Sequence, residues 1–176
     1  MKLNRLLPVS AALVAGLLSS GATMAADTLN GGNFGVKIAI TSECTVDAAK
    51  TDLDFGSKAS TATAAATANN GGFSVTCTNQ TPYSIGLQST AGSSSSDGSG
   101  TMKATVGSTE YTIGYQLYQD AGDSTPWGNS NTGSINTKEA LGSGIAQAHT
   151  VFGKTTSTLN VPVATYTDTV AVSIYY

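Results

Sequence analysis

Two cysteines, one histidine and eleven acidic residues are the groups on which any site chemistry in this 176-residue chain has to draw. His149 stands in Ala148-His149-Thr150 with no second imidazole to share a metal or a proton relay. A solvated or packed histidine is the simpler reading. Asp52 and Asp54 flank Leu53 and fall on one side of an extended segment. Two carboxylates without histidine, cysteine or a third acid nearby make a poor cation site, so they read as polar residues at the margin of an apolar strand. Gly142-Ser143-Gly144 opens like a phosphate loop but lacks the later glycine and the lysine, and reads as a turn. Asn79-Gln80-Thr81 fits a glycosylation sequon, a three-residue pattern that chance supplies often. Neither GxSxG nor HExxH occurs. No catalytic constellation assembles, and neither an enzyme nor a metal or cofactor site is expected.

The compartment decides how Cys44 and Cys77 are read. Lys2 and Arg5 precede an apolar stretch at 6–18, and Thr23-Met24-Ala25 is a small-x-small exit. This is the layout of a secretory signal peptide, too short with its flanks to span a membrane. Cleavage is expected after Ala25, with Ala26 as the second choice. An exported chain meets an oxidising compartment, where two cysteines become a disulfide. A bridge over the 33-residue separation stabilises by about 3–4 kcal/mol on a loop-entropy account. The competing reading, a reactive thiol pair or a metal site, has neither CxxC spacing nor more than one histidine behind it.

Composition narrows the class. Charged residues make up 11% of the chain, whereas 21 serines and 26 threonines carry small hydroxyls, and glycine adds 20 positions. Without its first 25 residues the chain keeps all eleven acids and six lysines, a net charge of 6 − 11 = −5, and no arginine. Nucleic acid and anionic membrane surfaces are recognised by arginine forks and basic stripes, so both drop out as partners.

The elements that must position these residues are strands. Phe34, Val36, Ile38 and Ile40 alternate with Gly35, Lys37 and Ala39, and Phe73, Val75 and Cys77 share a face, as do Tyr83, Ile85 and Leu87. Met102, Ala104 and Val106 lead through Gly107-Ser108 into Tyr111, Ile113, Tyr115 and Leu117, a tight hairpin. Short strands are also expected at 53–56, 151–153 and 159–163. The chain ends in Val170, Val172, Ile174 and Tyr176 on one face, with Thr169, Ala171 and Ser173 on the other. Residues 59–70, the polar tract 93–100 and the stretch 120–144 around Trp127 read as irregular. One antiparallel sandwich or barrel accounts for this spacing. The run at 34–40 precedes the first cysteine. It is either an edge strand of its own domain or a strand that leaves that domain and completes another, using main-chain bonds for affinity and alternate side chains for fit.

Several segments in order resemble the spore coat protein U domain family, which includes the Csu-type subunits of archaic chaperone-usher pili. They are Cys44-Thr45-Val46, Leu53-Asp54-Phe55-Gly56, Ser74-Val75-Thr76-Cys77-Thr78, Tyr115-Gln116-Leu117-Tyr118-Gln119-Asp120, Trp127-Gly128, Val151-Phe152-Gly153 and the run from Val161 through Tyr166-Thr167-Asp168-Thr169-Val170. Ala164 stands where the family commonly has glycine.

The resemblance implies an all-β fold, an incomplete immunoglobulin-like β-sandwich completed by a donor strand from a neighbouring subunit. It implies a signal peptide at 1–25, an N-terminal donor-strand extension at 26–42 and a sandwich domain at 43–176. Phe34, Val36, Ile38 and Ile40 would enter a neighbour's groove, and Val170, Val172, Ile174 and Tyr176 would line the acceptor groove. The expected protein is a rod-type structural subunit of a cell-surface pilus that supports adhesion and biofilm formation. Its partners would be identical or related subunits, a periplasmic chaperone and an outer-membrane usher. A coat protein of a spore or cell surface, and a small outer-membrane β-barrel, are the alternatives.

Overall fold

Apolar or aromatic residues alternating with small hydroxyl residues become antiparallel strands in the computed structural model, which describes residues 29–47, 50–90, 96–133 and 135–176. The expected signal peptide 1–25, residues 26–28 of the extension and residues 93–95 of the polar tract lie outside the described residues. The chain divides into two units, 1–38 and 39–176. In the first, residues 29–38 form no strand ladder, and the Asn30 side chain accepts a hydrogen bond from the Gly32 amide at 3.4 Å.

The second unit contains β1 (Cys44–Val46), β2 (Thr67–Cys77), β3 (Pro82–Ser89), β4 (Ser99–Val106), β5 (Thr109–Tyr118), β6 (Lys138–Leu141), β7 (Gln147–Thr155) and β8 (Val170–Tyr175). They form a five-stranded sheet in the order β1-β2-β7-β5-β4 and a three-stranded sheet in the order β6-β3-β8. Pairing is antiparallel throughout. The expected hairpin is β4 and β5, with Val106 opposite Thr109 and a left-handed Gly107 at the turn (φ 65°). The apolar faces meet between the sheets: Phe73, Val75 and Cys77 of β2, Tyr115 and Leu117 of β5 and Val151 of β7 pack with Tyr83, Ile85 and Leu87 of β3. Two sheets with separate edges and a filled interior make an incomplete sandwich, and the barrel reading is set aside on that ground.

Trp127 anchors this core from the segment between β5 and β6. It is fully buried, donates Nε1–H to the Ile85 carbonyl at 2.8 Å, and lies 6.1 Å from the Phe73 ring. A buried indole keeps its polar edge satisfied in this way while its rings fill volume. The Lys138 ammonium sits 4.9 Å above the ring, on its electron-rich face. Asp120 shapes the loop that delivers the tryptophan: its carboxylate accepts from the amides of Gly122, Ser124 and Thr125 and from the Ser124 hydroxyl. Those bonds, the Thr125 amide foremost, hold its carboxyl down at about 2.

Three expectations change. Lys138–Leu141 is a strand inside the stretch read as loop, held to β3 by Tyr83 opposite Ala140. Residues 67–70, read as irregular, open β2 ahead of a bulge between Ala68 and Gly71. Residues 53–56 and 159–163 are not ladder strands, although Leu53, Phe55 and Leu159 all pack inward.

Candidate interaction groove

Strand β8 is paired on one side only. Val170, Val172 and Ile174 alternate toward the core, and the strand runs along β3 with Ser89 opposite Val170, Leu87 opposite Val172 and Ser84 opposite Tyr175. Among the described residues its other edge carries no ladder. In the facing sheet the corresponding margin is thin. β1 pairs with β2 over three residues, and the chain then follows β2 through the bridge between Thr51 and Gly72. Next, the Asn70 side chain imitates a strand: Oδ1 accepts from the Asp54 amide at 2.9 Å, and Nδ2 donates to the Asp54 carbonyl at 3.1 Å. Leu53 and Phe55 are thereby turned inward over Gly71 and Gly153. A Cβ on Gly71 would stand 2.8 Å from Leu53 Cβ and 2.9 Å from its Cα, so glycine is required for this close backbone approach.

Between these two margins the sandwich is open. A cavity of about 490 Å³ is floored by Phe73, Leu87, Leu117, Val151, Val170 and Val172, with Leu53 and Phe55 along its side. A second cavity, of about 480 Å³, shares Leu53, Phe55, Met102 and Tyr166 with the first and continues past Ile113, Leu159 and Val161. The first cavity is the apolar groove alongside β8, and the second extends from it past the 159–166 segment with a more polar lining.

One end of the groove is fixed by Asp168. Its Oδ2 accepts from the Ser89 hydroxyl at 2.6 Å and the Tyr115 hydroxyl at 2.7 Å, while Oδ1 accepts from the Thr169 amide at 2.7 Å. Ser89 belongs to the three-stranded sheet and Tyr115 to the five-stranded one, so one carboxylate ties the sheets together. Just before it, Thr167 exchanges both backbone bonds with Lys103 of β4. Burial, the hydrogen bond to Asp168 and that group's charge push the Tyr115 phenol well above its ordinary range. Gly100 leaves the room in which the Tyr115 ring lies.

His149 makes the second tie. It is buried on β7, and its Nε2 lies 3.0 Å from the hydroxyl of Tyr83 on β3, which also donates to Gln147 Oε1 at 3.3 Å. Burial, aided by the Lys138 charge, lowers its pKa. The unfolded chain binds the proton near pH 6.5, before the native chain does. The stability conferred by a neutral His149 is therefore complete above that pH and declines as pH falls through it. Because this is the chain's single histidine, His149→Gln is expected to flatten the loss of stability that sets in as pH falls below about 6.5. Urea midpoints at a series of pH values check this, and equal slopes for the two chains refute it.

The other residues with chemical potential serve structure. Cys44 and Cys77 stand opposite each other in β1 and β2 and are joined by a disulfide. Asp54 Oδ1 accepts from the Gly56 amide at 2.7 Å. In the Gly142-Ser143-Gly144 turn, Gly142 exchanges backbone bonds with Gln80 and Thr81, and Gly144 donates to the Cys77 carbonyl. Asn79 is exposed beside it. Among the described residues no three histidine, cysteine or acidic side chains gather where a metal ion would sit.

The expected donor residues Phe34, Val36, Ile38 and Ile40 are 77–88% exposed. Of the expected acceptor residues, Val170 and Val172 line the groove, Ile174 packs on the core, and Tyr176 is 62% exposed. The sequence reading missed the Asp168 tie. Tyr166-Thr167-Asp168-Thr169 was singled out as a motif, but Ser89 and Tyr115 lie 79 and 53 residues away.

The fold and groove define a class: an antiparallel sandwich domain with one long edge open over an apolar trough. The spore coat protein U domain matches residues 31–173, and the chain belongs to that family. No curated protein matches it. Eleven chains of solved structures do. One is in a crystal structure of a chaperone–tip adhesion subunit pre-assembly complex from the archaic chaperone-usher Csu pili of Acinetobacter baumannii. It is 21% identical, with a TM-score of 0.48 over 78% of this chain, and the match spans 40% of that chain's length.

Proposed function

We propose that the chain is a structural subunit of a chaperone-usher pilus, assembled by donor-strand exchange. In this reading residues 26–42 are the extension donated to a neighbour and 43–176 the sandwich that accepts one. The observation that carries it is the combination of an apolar groove beside the free edge of β8 with an exposed alternating run, Phe34, Val36, Ile38 and Ile40, in the same chain. An open groove and an unpaired edge are an aggregation hazard, which a periplasmic chaperone would cover until an outer-membrane usher passes the subunit on. The extension would then supply main-chain bonds to β8 and fill the trough with alternate side chains. Cell-surface adhesion and biofilm formation follow as the roles of such a fibre. The family's name also keeps a coat assembly in view, built by the same exchange.

Shearing the producing cells is the test. The chain is expected in the sheared fraction as multimers that survive detergent and fall to monomer on boiling, and loss of the usher is expected to trap it in the periplasm. A chain that stays monomeric outside the cell, or stays with detergent-extracted membrane, overturns the reading.

A further inference from the structure

The groove is apolar at its floor and charged at its mouth. Along the margin formed by residues 50–54, Lys50, Asp52 and Asp54 line the cavity, one cation against two carboxylates. The third carboxylate on the lining, Asp168, is engaged by Ser89, Tyr115 and the Thr169 amide. On the opposite margin, the residues of β8 that alternate with the core-facing valines are Ala171, Ser173 and Tyr175, none charged. The described extension, residues 29–42, holds a single charged residue, Lys37, and it is exposed.

Parity places that charge. A strand laid along β8 with Val36 and Ile38 directed into the trough must direct Lys37 outward at the mouth, because successive side chains alternate. Adjacent strands are about 4.8 Å apart, a distance the lysine stem bridges while its ammonium stays in water. The side of β8 offers it no counter-charge, whereas the 50–54 margin offers Asp52 and Asp54, the second with Oδ1 already accepting from the Gly56 amide.

We infer that Lys37 of one copy pairs with Asp52 and Asp54 of the next, and that this pairing favours the chain's own extension over uncharged competitors. This rests on the fibre reading above and adds to it a determinant of specificity. A slip by one residue would bury Lys37 in the trough, so the pairing and the parity of the inserted strand require each other. An exposed ion pair adds little to final stability and acts chiefly on encounter and selection.

The test is charge reversal in full chains assembled on cells, read as the rate at which boiling-sensitive multimers appear. Lys37→Glu is expected to slow assembly about tenfold, and so is Asp52→Lys with Asp54→Lys, because each replaces attraction by repulsion. All three substitutions in one chain are expected to restore the rate to within about twofold, and added salt to shrink the differences. Lys37→Gln, which cannot repel, is expected to lie between wild type and Lys37→Glu. Monomer recovered with its disulfide intact shows that each variant folds. If Lys37→Glu assembles at the wild-type rate, or the triple variant is no faster than its parents, the pairing is wrong and the fibre reading stands. A wild-type chain that forms no multimers overturns both.

Discussion

On the donor-strand reading, Ile38→Asp is expected to leave the sandwich folded and oxidised and to abolish multimers on cells in which it is the sole copy. The two halves of that outcome have separate causes. Ile38 is 82% exposed in the subunit, so a carboxylate there meets water and disturbs no packing. In a neighbour's trough the same carboxylate would lie against residues such as Leu117, Val151 and Val172 with no hydrogen-bond donor of its own. Burying an unpaired charge costs several kcal/mol, and about 4 kcal/mol is already a thousandfold in affinity. Val36→Asp is expected to behave identically. Gel analysis of sheared, unboiled material reads the multimers, and periplasmic extracts read the monomer. Normal fibres from either variant would remove 34–40 from the role of donor strand.

Replacing Cys44 or Cys77 by serine is the second large effect, and it falls on the folded subunit. β1 is three residues long and sits at the edge of its sheet, so few ladder bonds hold it. Beyond them, Glu43 is bound by Thr78, through Oγ1 to its amide at 3.0 Å and through the Thr78 amide to its carbonyl at 2.9 Å. The disulfide is the covalent part of this attachment, and Cys77 is fully buried beneath it. Its loss removes about 3–4 kcal/mol, a large share of the roughly 5–15 kcal/mol that keeps a domain folded. Periplasmic levels should fall severalfold, and the urea midpoint of recovered subunit should drop with them. Unchanged yield and midpoint would mean that the bridge carries no structural weight.

What the sequence disclosed depended on how local each cause is. The faces of β5 and β8 were legible because Ile113, Tyr115 and Leu117, and Val170, Val172 and Ile174, declare their period within a few residues. Leu53 and Phe55 also read as a strand, and their inward direction is right. What holds them is the Asn70 side chain in place of a ladder, and nothing near residue 53 announces it. β6 was hidden for the opposite reason: Lys138-Glu139-Ala140-Leu141 has no β-branched residue and exists as a strand because β3 is there to pair with it. The groove itself is a property of sheet order. That β8 is an edge follows from its sole partner being β3, a fact of topology that alternation cannot express.

The two polar ties have a consequence for how the trough is filled. Tyr83 with His149, and Ser89 with Tyr115 through Asp168, clamp the sheets to each other within the domain. If the trough accepts a strand as proposed, these ties would set the spacing of its walls beforehand. On that reading an acceptor braced in this way would have less backbone freedom to surrender, and more of the ordering entropy would fall on the incoming segment. The heat-capacity change of such an insertion would then report chiefly dehydration of the trough and of the strand that enters it.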